Sequence, residues 1–205
     1  MGLINSTLPI HIKVLEKSGY NNYTLLLNHK KIQTKSLIDL DEQSEYLAEL
    51  YTTKEGILQF KNLYKKPEIS YFAQGLDLIV RLLEYDLDFK NYILEQLINC
   101  NEKQDFLVYK EMLFASLEGI YHIPFIYEDK KCLFQLKFNE EKCELYLYFS
   151  VFGALKIIFN EQNMQIFSPF AKVQIFLSQY LEKEVIQEQK INALFVFKKL
   201  LDFKG

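Results

Sequence analysis

Hydrophobic and polar residues alternate along the first third of the chain. Every second residue from Ile10 to Val14 is apolar, and a period near two continues through this region. This period is typical of half-buried β-strands. With turns at Ser18-Gly19 and at 28–30, the pattern predicts strands at 10–15, 23–27, 31–36, 46–51 and 56–62. Five short strands predict a small β-barrel-like module over residues 1–66, since a flat sheet of this size would leave its edges open.

The period changes after Lys65-Lys66-Pro67. Apolar residues then recur at the three- and four-residue spacing of amphipathic helices, which predicts a three-helix segment over residues 67–124. We expect Asp88 to cap the second helix and Gly119 and Pro124 to close the third. The three apolar stripes comprise Phe72, Leu76, Ile79, Val80 and Leu83; Phe89, Tyr92, Ile93 and Leu97; and Phe106, Tyr109, Leu113 and Leu117.

Strand patterns return in residues 125–205. They predict strands at 133–138, 143–149, 154–159 and 164–167, with a bend at Gly153 joining the second to the third. Residues 170–185 have a helical period, with Ser168 as the expected N-cap and Pro169 at the first helical position. A last strand at 191–197, or a helical ending at 198–202, would complete an antiparallel sheet with one packed helix. The sequence therefore predicts an α+β fold in three parts, 1–66, 67–124 and 125–205.

Composition and charge narrow the classes of partner. The 205 residues are 49% hydrophobic and 25% charged, which is typical of a packed domain. With 24 basic and 27 acidic residues, the net charge of -3 gives no general attraction to phosphate backbones or anionic lipid, so we do not expect nucleic acid as the partner. No apolar run approaches the roughly 20 residues of a membrane helix, and we expect a cytoplasmic protein without a membrane anchor.

Side chains with catalytic or metal-binding chemistry do not form a recognised motif in this sequence. The sequence has no phosphate-binding glycine loop, no G-x-S-x-G elbow and no H-E-x-x-H pair. We therefore expect no enzyme, cofactor or metal site. An acidic cluster lacks the glycine and terminal glutamate of a calcium loop and is better interpreted as a solvated loop; it comprises Asp39, Asp41, Glu42 and Glu45. The isolated residues, interpreted as structural or surface histidines and free thiols of a reducing compartment, are His11, His29, His122, Cys100, Cys132 and Cys143.

A basic face on the first module indicates an alternative class of function. With Tyr20 and Tyr23, its lysines are similar to the ingredients of a small barrel that binds single-stranded nucleic acid. The neighbouring acidic cluster weakens the field of this face, so this function is only an alternative. The lysines are Lys13, Lys17, Lys30, Lys31 and Lys35.

Aromatic residues are frequent, with 17 Phe and 14 Tyr, and they raise the question of a binding surface. Tyr146, Tyr148, Phe149 and Phe152 cannot all face one core if side chains alternate along the strand. Either the helical segment covers the second face, which we favour, or an apolar groove receives a partner. The candidate partner-binding residues are Phe72, Leu76, Ile79, Leu83, Phe149, Phe152, Phe176 and Tyr180.

Residues 145–159 resemble the core segment of the flagellar hook-length control protein family, in which a strand runs into a leucine-glycine bend and a second strand. A short strand, a helix and a last strand follow in that family. Residues 12–27 and 31–37 are similar to the small β-domain of some members. The apolar and glycine positions that carry the C-terminal resemblance are Leu147, Phe149, Gly153, Leu155, Ile157, Met164, Ile166, Val173 and Leu181.

The resemblance implies a role in flagellar assembly. A long segment rich in Pro, Gln and Ser, which would act as a molecular ruler, is missing here, and the predicted helices stand in its place. A chain that cannot extend cannot easily measure length. We therefore expect a non-enzymatic co-chaperone of the flagellin export chaperone, with that chaperone, flagellin or another export component as its partner. Hook-length control or export substrate switching is the alternative within the same resemblance.

Overall fold

The structure, a computed structural model, describes residues 8–54, 58–84, 87–161 and 163–197, and describes Leu58 by its backbone alone. Within these ranges, two β-sheets and four helices confirm the α+β class. The first sheet contains β1 (Ile10–Gly19), β2 (Asn22–Leu27), β3 (Lys30–Lys35), β4 (Glu45–Thr52) and β5 (Leu58–Lys65). These strands confirm the period-two prediction, although its residues 56 and 57 lie outside the described part of the chain. The turn predicted at Ser18-Gly19 is wrong, because β1 continues through both residues and the turn lies at Tyr20-Asn21, where Asn21 has a φ of +57°.

The first sheet is open. Its strand order is β3-β2-β1-β4-β5 with antiparallel neighbours, so the described strands leave β3 and β5 as two edges. The predicted barrel closure is therefore wrong. The prediction overlooked that an edge can be protected by charge, because lysine side chains discourage pairing with another strand. Strand β3 carries Lys30, Lys31 and Lys35, all of them exposed.

Three helices follow the first sheet, as predicted: α1 (Gly75–Glu84), α2 (Phe89–Asn99) and α3 (Lys103–Leu117). Asp88 caps α2, since its Oδ1 accepts a hydrogen bond from the Asn91 N–H at 3.1 Å. The stripes predicted for α1 and α3 are partly wrong. The exposed residues are Leu76, Val80 and Leu83 of α1 and Phe106 and Leu117 of α3. The buried face of α3 consists of Val108, Tyr109, Met112 and Ala115.

The second sheet has the order β11-β10-β9-β8-β7-β6. Strand β6 (Ile120–Tyr127) contains Pro124, which the sequence analysis placed at the end of α3. That placement is wrong: among the strands that the structure describes, β6 pairs only with β7 and is an edge strand, where a proline without an N–H is tolerated. The remaining elements are β7 (Lys130–Phe138), β8 (Lys142–Phe149), β9 (Gly153–Asn160), β10 (Asn163–Ser168), α4 (Ala171–Leu181) and β11 (Val185–Gln187).

Three predictions near the C-terminus are wrong. Phe170 is the N-cap of α4, and Ser168 instead accepts a hydrogen bond from the Phe170 N–H at 3.3 Å, so Pro169 precedes the helix. The helix ends at Leu181, and residues 191–197 form no strand. The helical alternative at 198–202 lies outside the described residues.

The chain divides into two compact units. Unit 1 comprises residues 1–68, 151–153 and 167–190, and unit 2 comprises residues 69–150, 154–166 and 191–205. In unit 2 the three helices pack on the second sheet, with Leu145, Leu147 and Phe149 of β8 facing them. The helical segment thus covers this face of β8, while Tyr146 and Tyr148 are buried on the opposite face.

Gly153 makes the predicted bend between β8 and β9. Its φ of +75° is accessible to glycine at little cost, and a Cβ at this position would lie 2.5 Å from the buried ring of Phe170. The core of the first sheet comprises Ile12, Val14, Tyr23, Leu25, Leu27, Leu40, Tyr46 and Ala48. Among the described residues, the longest apolar helix is too short to cross a membrane.

Candidate functional site

Three of the candidate partner-binding residues form one stack of rings on unit 1. Phe152, in the turn between β8 and β9, lies 5.9 Å from Phe176, with an angle of 27° between the rings. Phe176 in turn stacks on Tyr180 at 5.2 Å and 29°. Tyr180 is 78% exposed and Phe176 37%, so the stack presents aromatic surface to solvent. We call these three residues the aromatic stack.

The helix that carries the stack is fixed at its first turn by a buried carboxylate. Glu49 of β4 is fully buried, and its Oε1 accepts a hydrogen bond from the Lys172 N–H at 2.5 Å. Its Oε2 accepts from Tyr51 Oη at 2.8 Å and from Asn62 Nδ2 at 2.6 Å. A carboxylate at a helix N-terminus satisfies a backbone donor and interacts favourably with the helix dipole. Glu49 therefore orients α4, and with it Phe176 and Tyr180.

Lysines surround Tyr51 in the same cluster. The Nζ atoms of Lys172 and Lys61 lie 4.6 Å and 5.1 Å from the centre of its ring, within the range of cation–π attraction. Lys172 Nζ also donates to the Leu50 carbonyl oxygen at 2.7 Å. Burial, together with the hydrogen bond to Glu49, raises the pKa of Tyr51 to about 12, so the phenol stays protonated and donates to the carboxylate.

The other candidate partner-binding residues are divided between core and surface. Phe72 and Ile79 lie in the core of unit 2 and present almost no surface to a partner. Phe149 is half-buried against the same core. Leu76 and Leu83 are exposed on α1. Only Phe152, Phe176 and Tyr180 of the predicted set are joined in a ring-to-ring stack.

Of the two tyrosines proposed to stack on nucleic-acid bases, Tyr23 is not available for stacking. Tyr23 is fully buried and its hydroxyl donates to Asp39 at 2.9 Å, so its ring cannot stack on a base. Tyr20 is exposed. Lys17 pairs with Asp39 at 2.6 Å, which lowers the pKa of that carboxyl through the lysine hydrogen bond. The acidic cluster thus neutralises part of the basic face.

The acidic cluster also pairs with lysines at the end of β5. Lys65 binds Asp41 at 2.7 Å and Lys66 binds Glu45 at 2.5 Å. These pairs match the interpretation of a solvated loop. Within the ranges that the structure describes, His, Cys, Asp and Glu side chains do not assemble into a group of three suited to a metal ion.

A second buried polar cluster lies in unit 2 around Gln135. Gln135 Oε1 accepts from the N–H groups of Leu194 at 2.7 Å and Phe195 at 3.3 Å. Its Nε2 donates to the Phe195 carbonyl oxygen at 2.7 Å and to His122 Nδ1 at 2.8 Å. Because the backbone groups fix which end of the amide is oxygen, His122 Nδ1 must be the acceptor and Nε2 carries the proton. All four hydrogen-bonding positions of the amide are occupied.

Burial lowers the pKa of His122 to about 4. The neutral ring packs edge-on against Phe195, with 5.5 Å between the ring centres. A proton on Nδ1 would face the amide N–H of Gln135, donor against donor. His122 is therefore a neutral structural histidine, while His11 and His29 are exposed. Cys132 is buried, Cys100 and Cys143 are half-buried, and all three are free thiols, as predicted.

Sequence reasoning missed Glu49 and Gln135, although each left a signal. Both are polar residues inside apolar strands, Glu49 within Tyr46–Leu50 and Gln135 within Leu133–Leu136. A buried polar group needs hydrogen-bond partners, so such a residue indicates a contact to a distant segment. The partner of Glu49 is Lys172, and the partners of Gln135 are Leu194 and Phe195. Spacing in the sequence does not identify these partners, because about 60 residues or more separate each pair.

Comparison of the chain with protein-family models, with curated proteins and with solved structures gives no match. The class of the protein is therefore given by its structure alone: an α+β chain of two open sheets with a solvent-exposed aromatic stack.

Proposed function

We propose that this chain is a non-enzymatic binding protein of flagellar assembly that binds a component of the flagellar export system, acting as a co-chaperone of the flagellin export chaperone. The observation that carries the binding role is the aromatic stack on α4. The resemblance of residues 145–159 to the hook-length control family supports the flagellar process.

The stack has the properties of a protein-binding surface. Aromatic side chains bury a large area on binding and lose little conformational entropy, and they are enriched among residues that dominate binding energy. Here the rings of Phe152 and Tyr180 both stack on Phe176, which restricts all three before a partner arrives. Preorganisation of this kind lowers the entropic cost of association.

Two of the three rings of the aromatic stack lie on the helix α4, which favours a helical partner. Phe176 and Tyr180 are four residues apart and lie one turn apart along the same side of α4. An amphipathic partner helix packing along α4 would bury these side chains at the spacing of its own turns.

The experiment that tests the proposal is a pull-down with the tagged full-length chain from the cytoplasm of the native organism. We expect recovery of the flagellin export chaperone, flagellin or an export-gate component. The partner's affinity is then measured by titration calorimetry for the wild type and for Tyr180→Ala. Loss of this ring should weaken binding by about 2 kcal/mol, or roughly 30-fold.

Ile175→Ala is the matched control, because Ile175 is an exposed apolar residue of the same helix outside the stack. It should change affinity much less than Tyr180→Ala. Equal effects of the two substitutions would contradict a role for the stack. Recovery of none of the expected components would contradict the flagellar role. Deletion of the gene should leave hooks of normal length without filaments, whereas abnormal hooks would favour the hook-length alternative.

A further inference from the structure

Residues 191–197 follow unit 1 and return to unit 2 without forming a helix or strand. Two of their side chains are nevertheless buried, Ile191 at 3% and Phe195 at 8% exposure. Phe195 packs against Ala115 of α3 and Ile120 of β6. The segment is thus an irregular stretch with a bend at Leu194 and an aromatic anchor at Phe195, and we call it the strap.

A second aromatic residue of the strap, Phe197, also contacts α3. The ring of Phe197 lies 5.7 Å from that of Phe114, and Lys110 Nζ lies 5.1 Å from the Phe197 ring. Val196, between the two phenylalanines, is 67% exposed. Leu194, Phe195 and Phe197 therefore all pack on this cluster, while Val196 points to solvent.

The polar contacts of Gln135 with the strap are made to backbone groups. Gln135 donates to the carbonyl oxygen of Phe195 and accepts from the N–H of the same residue. A side-chain amide that pairs with both backbone groups of one residue does not depend on which side chain that residue carries. Specificity then comes from the ring pocket that His122, Ala115 and Ile120 form around Phe195.

We propose that the surface of α3, β6 and β7 beneath the strap is a peptide-binding groove, and that a partner segment with an aromatic residue displaces the strap, pairs with Gln135 through its backbone and fills the pocket of Phe195. A segment held by one amide and a few apolar side chains, outside any sheet, opens at lower cost than the sheet itself. The groove becomes available in the fraction of molecules in which the strap has opened, and the apparent affinity for the partner is reduced by that fraction.

The first test is hydrogen exchange on the wild-type chain. The amides of Leu194 and Phe195 should exchange at least about 100-fold faster than those of Ile123 and Phe134 in the sheet, because opening of the strap exposes only the former. Equal exchange rates in the strap and the sheet would overturn the proposal, since the strap would then open only when the whole unit unfolds.

The second test uses a fluorescent peptide with the sequence of residues 190–197. Full-length Phe195→Ala should bind it at least about tenfold tighter than the wild type, because the weakened strap vacates the groove. Val196→Ala, at an exposed strap position, should behave like the wild type. A peptide with alanine in place of the residue corresponding to Phe195 should not bind.

The double variant Phe195→Ala with Gln135→Ala identifies the groove, provided that circular dichroism shows it to be folded. It should lose the peptide, because the amide that pairs with the peptide backbone is gone. Peptide binding that is the same with and without Gln135 would show that the peptide binds elsewhere and would overturn the proposal. No binding to Phe195→Ala would overturn it equally.

Discussion

The carboxylate of Glu49 accepts three hydrogen bonds while fully buried, from Lys172, Tyr51 and Asn62. Glu49→Ala would leave these donors without their acceptor in the interior, and we expect a loss of about 3 kcal/mol in the free energy of unfolding. Glu49→Gln retains one oxygen and should lose less. Urea denaturation with an unchanged m-value measures both.

Glu184→Ala is the control for this prediction, because Glu184 is an exposed carboxylate of the same unit. It should change stability by less than about 0.5 kcal/mol. A Glu49→Ala variant as stable as this control would show that water replaces the carboxylate without cost, and Glu49 would then not be what fixes α4.

His122 makes stability depend on pH. Its folded pKa is about 4, below the ordinary value of 6.5, so the unfolded chain takes up the proton first as the pH falls. The contribution is fully present above pH 6.5 and is lost progressively toward pH 4, by about 3 kcal/mol in total. Unfolding free energies at pH 7 and pH 4.5 measure this loss.

His122→Asn removes the titration and can still offer an oxygen to Gln135 Nε2, so its stability should fall less between these two pH values. His29→Asn is the control, since His29 is exposed and its φ of +64° suits asparagine. If the unfolding free energy falls by the same amount between pH 7 and pH 4.5 in all three proteins, groups other than His122 cause the pH dependence.

At the level of elements, α1 touches β6 at Gly75. A Cβ there would lie 2.0 Å from the Pro124 carbonyl oxygen and 2.8 Å from Phe125 Cα, both of them backbone atoms that cannot turn aside. Gly75→Ala should therefore destabilise the protein by about 1–3 kcal/mol or more, although alanine is the better helix former. Thermal and urea denaturation measure the change.

Gly19→Ala serves as the comparison, because its new Cβ would meet only the side-chain amide of Asn22 at 3.4 Å. It should cost much less than Gly75→Ala. A Gly75→Ala protein that is as stable as the wild type would mean that α1 can move away from β6 at no cost.

The sequence predicted elements where periodicity alone determines them. β1 to β5 alternate on one core, so residues 10–65 were assigned nearly strand by strand. Strand β6 was missed because Pro124 is a helix terminator in one context and an edge-strand residue in another, and only the pairing decides. The strand predicted at 191–197 is absent because this apolar segment is held by the side chain of Gln135 and not by a neighbouring strand.

The candidate site was predictable only in part. Helical spacing predicts that Phe176 and Tyr180 lie on one side of a helix, and the density of aromatic residues at 146–152 makes Phe152 a candidate surface residue. Their stacking could not be predicted, since it depends on a turn 24 residues from Phe176 being placed beside α4. The prediction that Phe72 and Ile79 bind a partner is not supported, because both are buried in the core. An apolar stripe alone does not indicate whether it faces the protein's own core or a partner.

At the level of the whole molecule, unit 1 is assembled from distant parts of the chain. The fragment 1–66 lacks the Lys172 N–H that donates to Glu49 and the Phe170 ring whose centre lies 6.5 Å from that of Tyr64. We expect this fragment alone to unfold or to give broad NMR signals. A fusion of 1–68 to 167–190 through a flexible linker should give dispersed signals. A well-dispersed spectrum from 1–66 would show that α4 is not required.

The division of unit 1 along the chain also affects its synthesis. Residues 1–68 leave the ribosome well before residues 167–190, and the 122 residues from 68 to 190 take roughly 6–24 s at about 5–20 residues per second. During this time Glu49 lacks the hydrogen bond that the Lys172 N–H donates to it. The lysines of β3 are already present, and their charge protects the free edge of the nascent sheet from pairing with another chain.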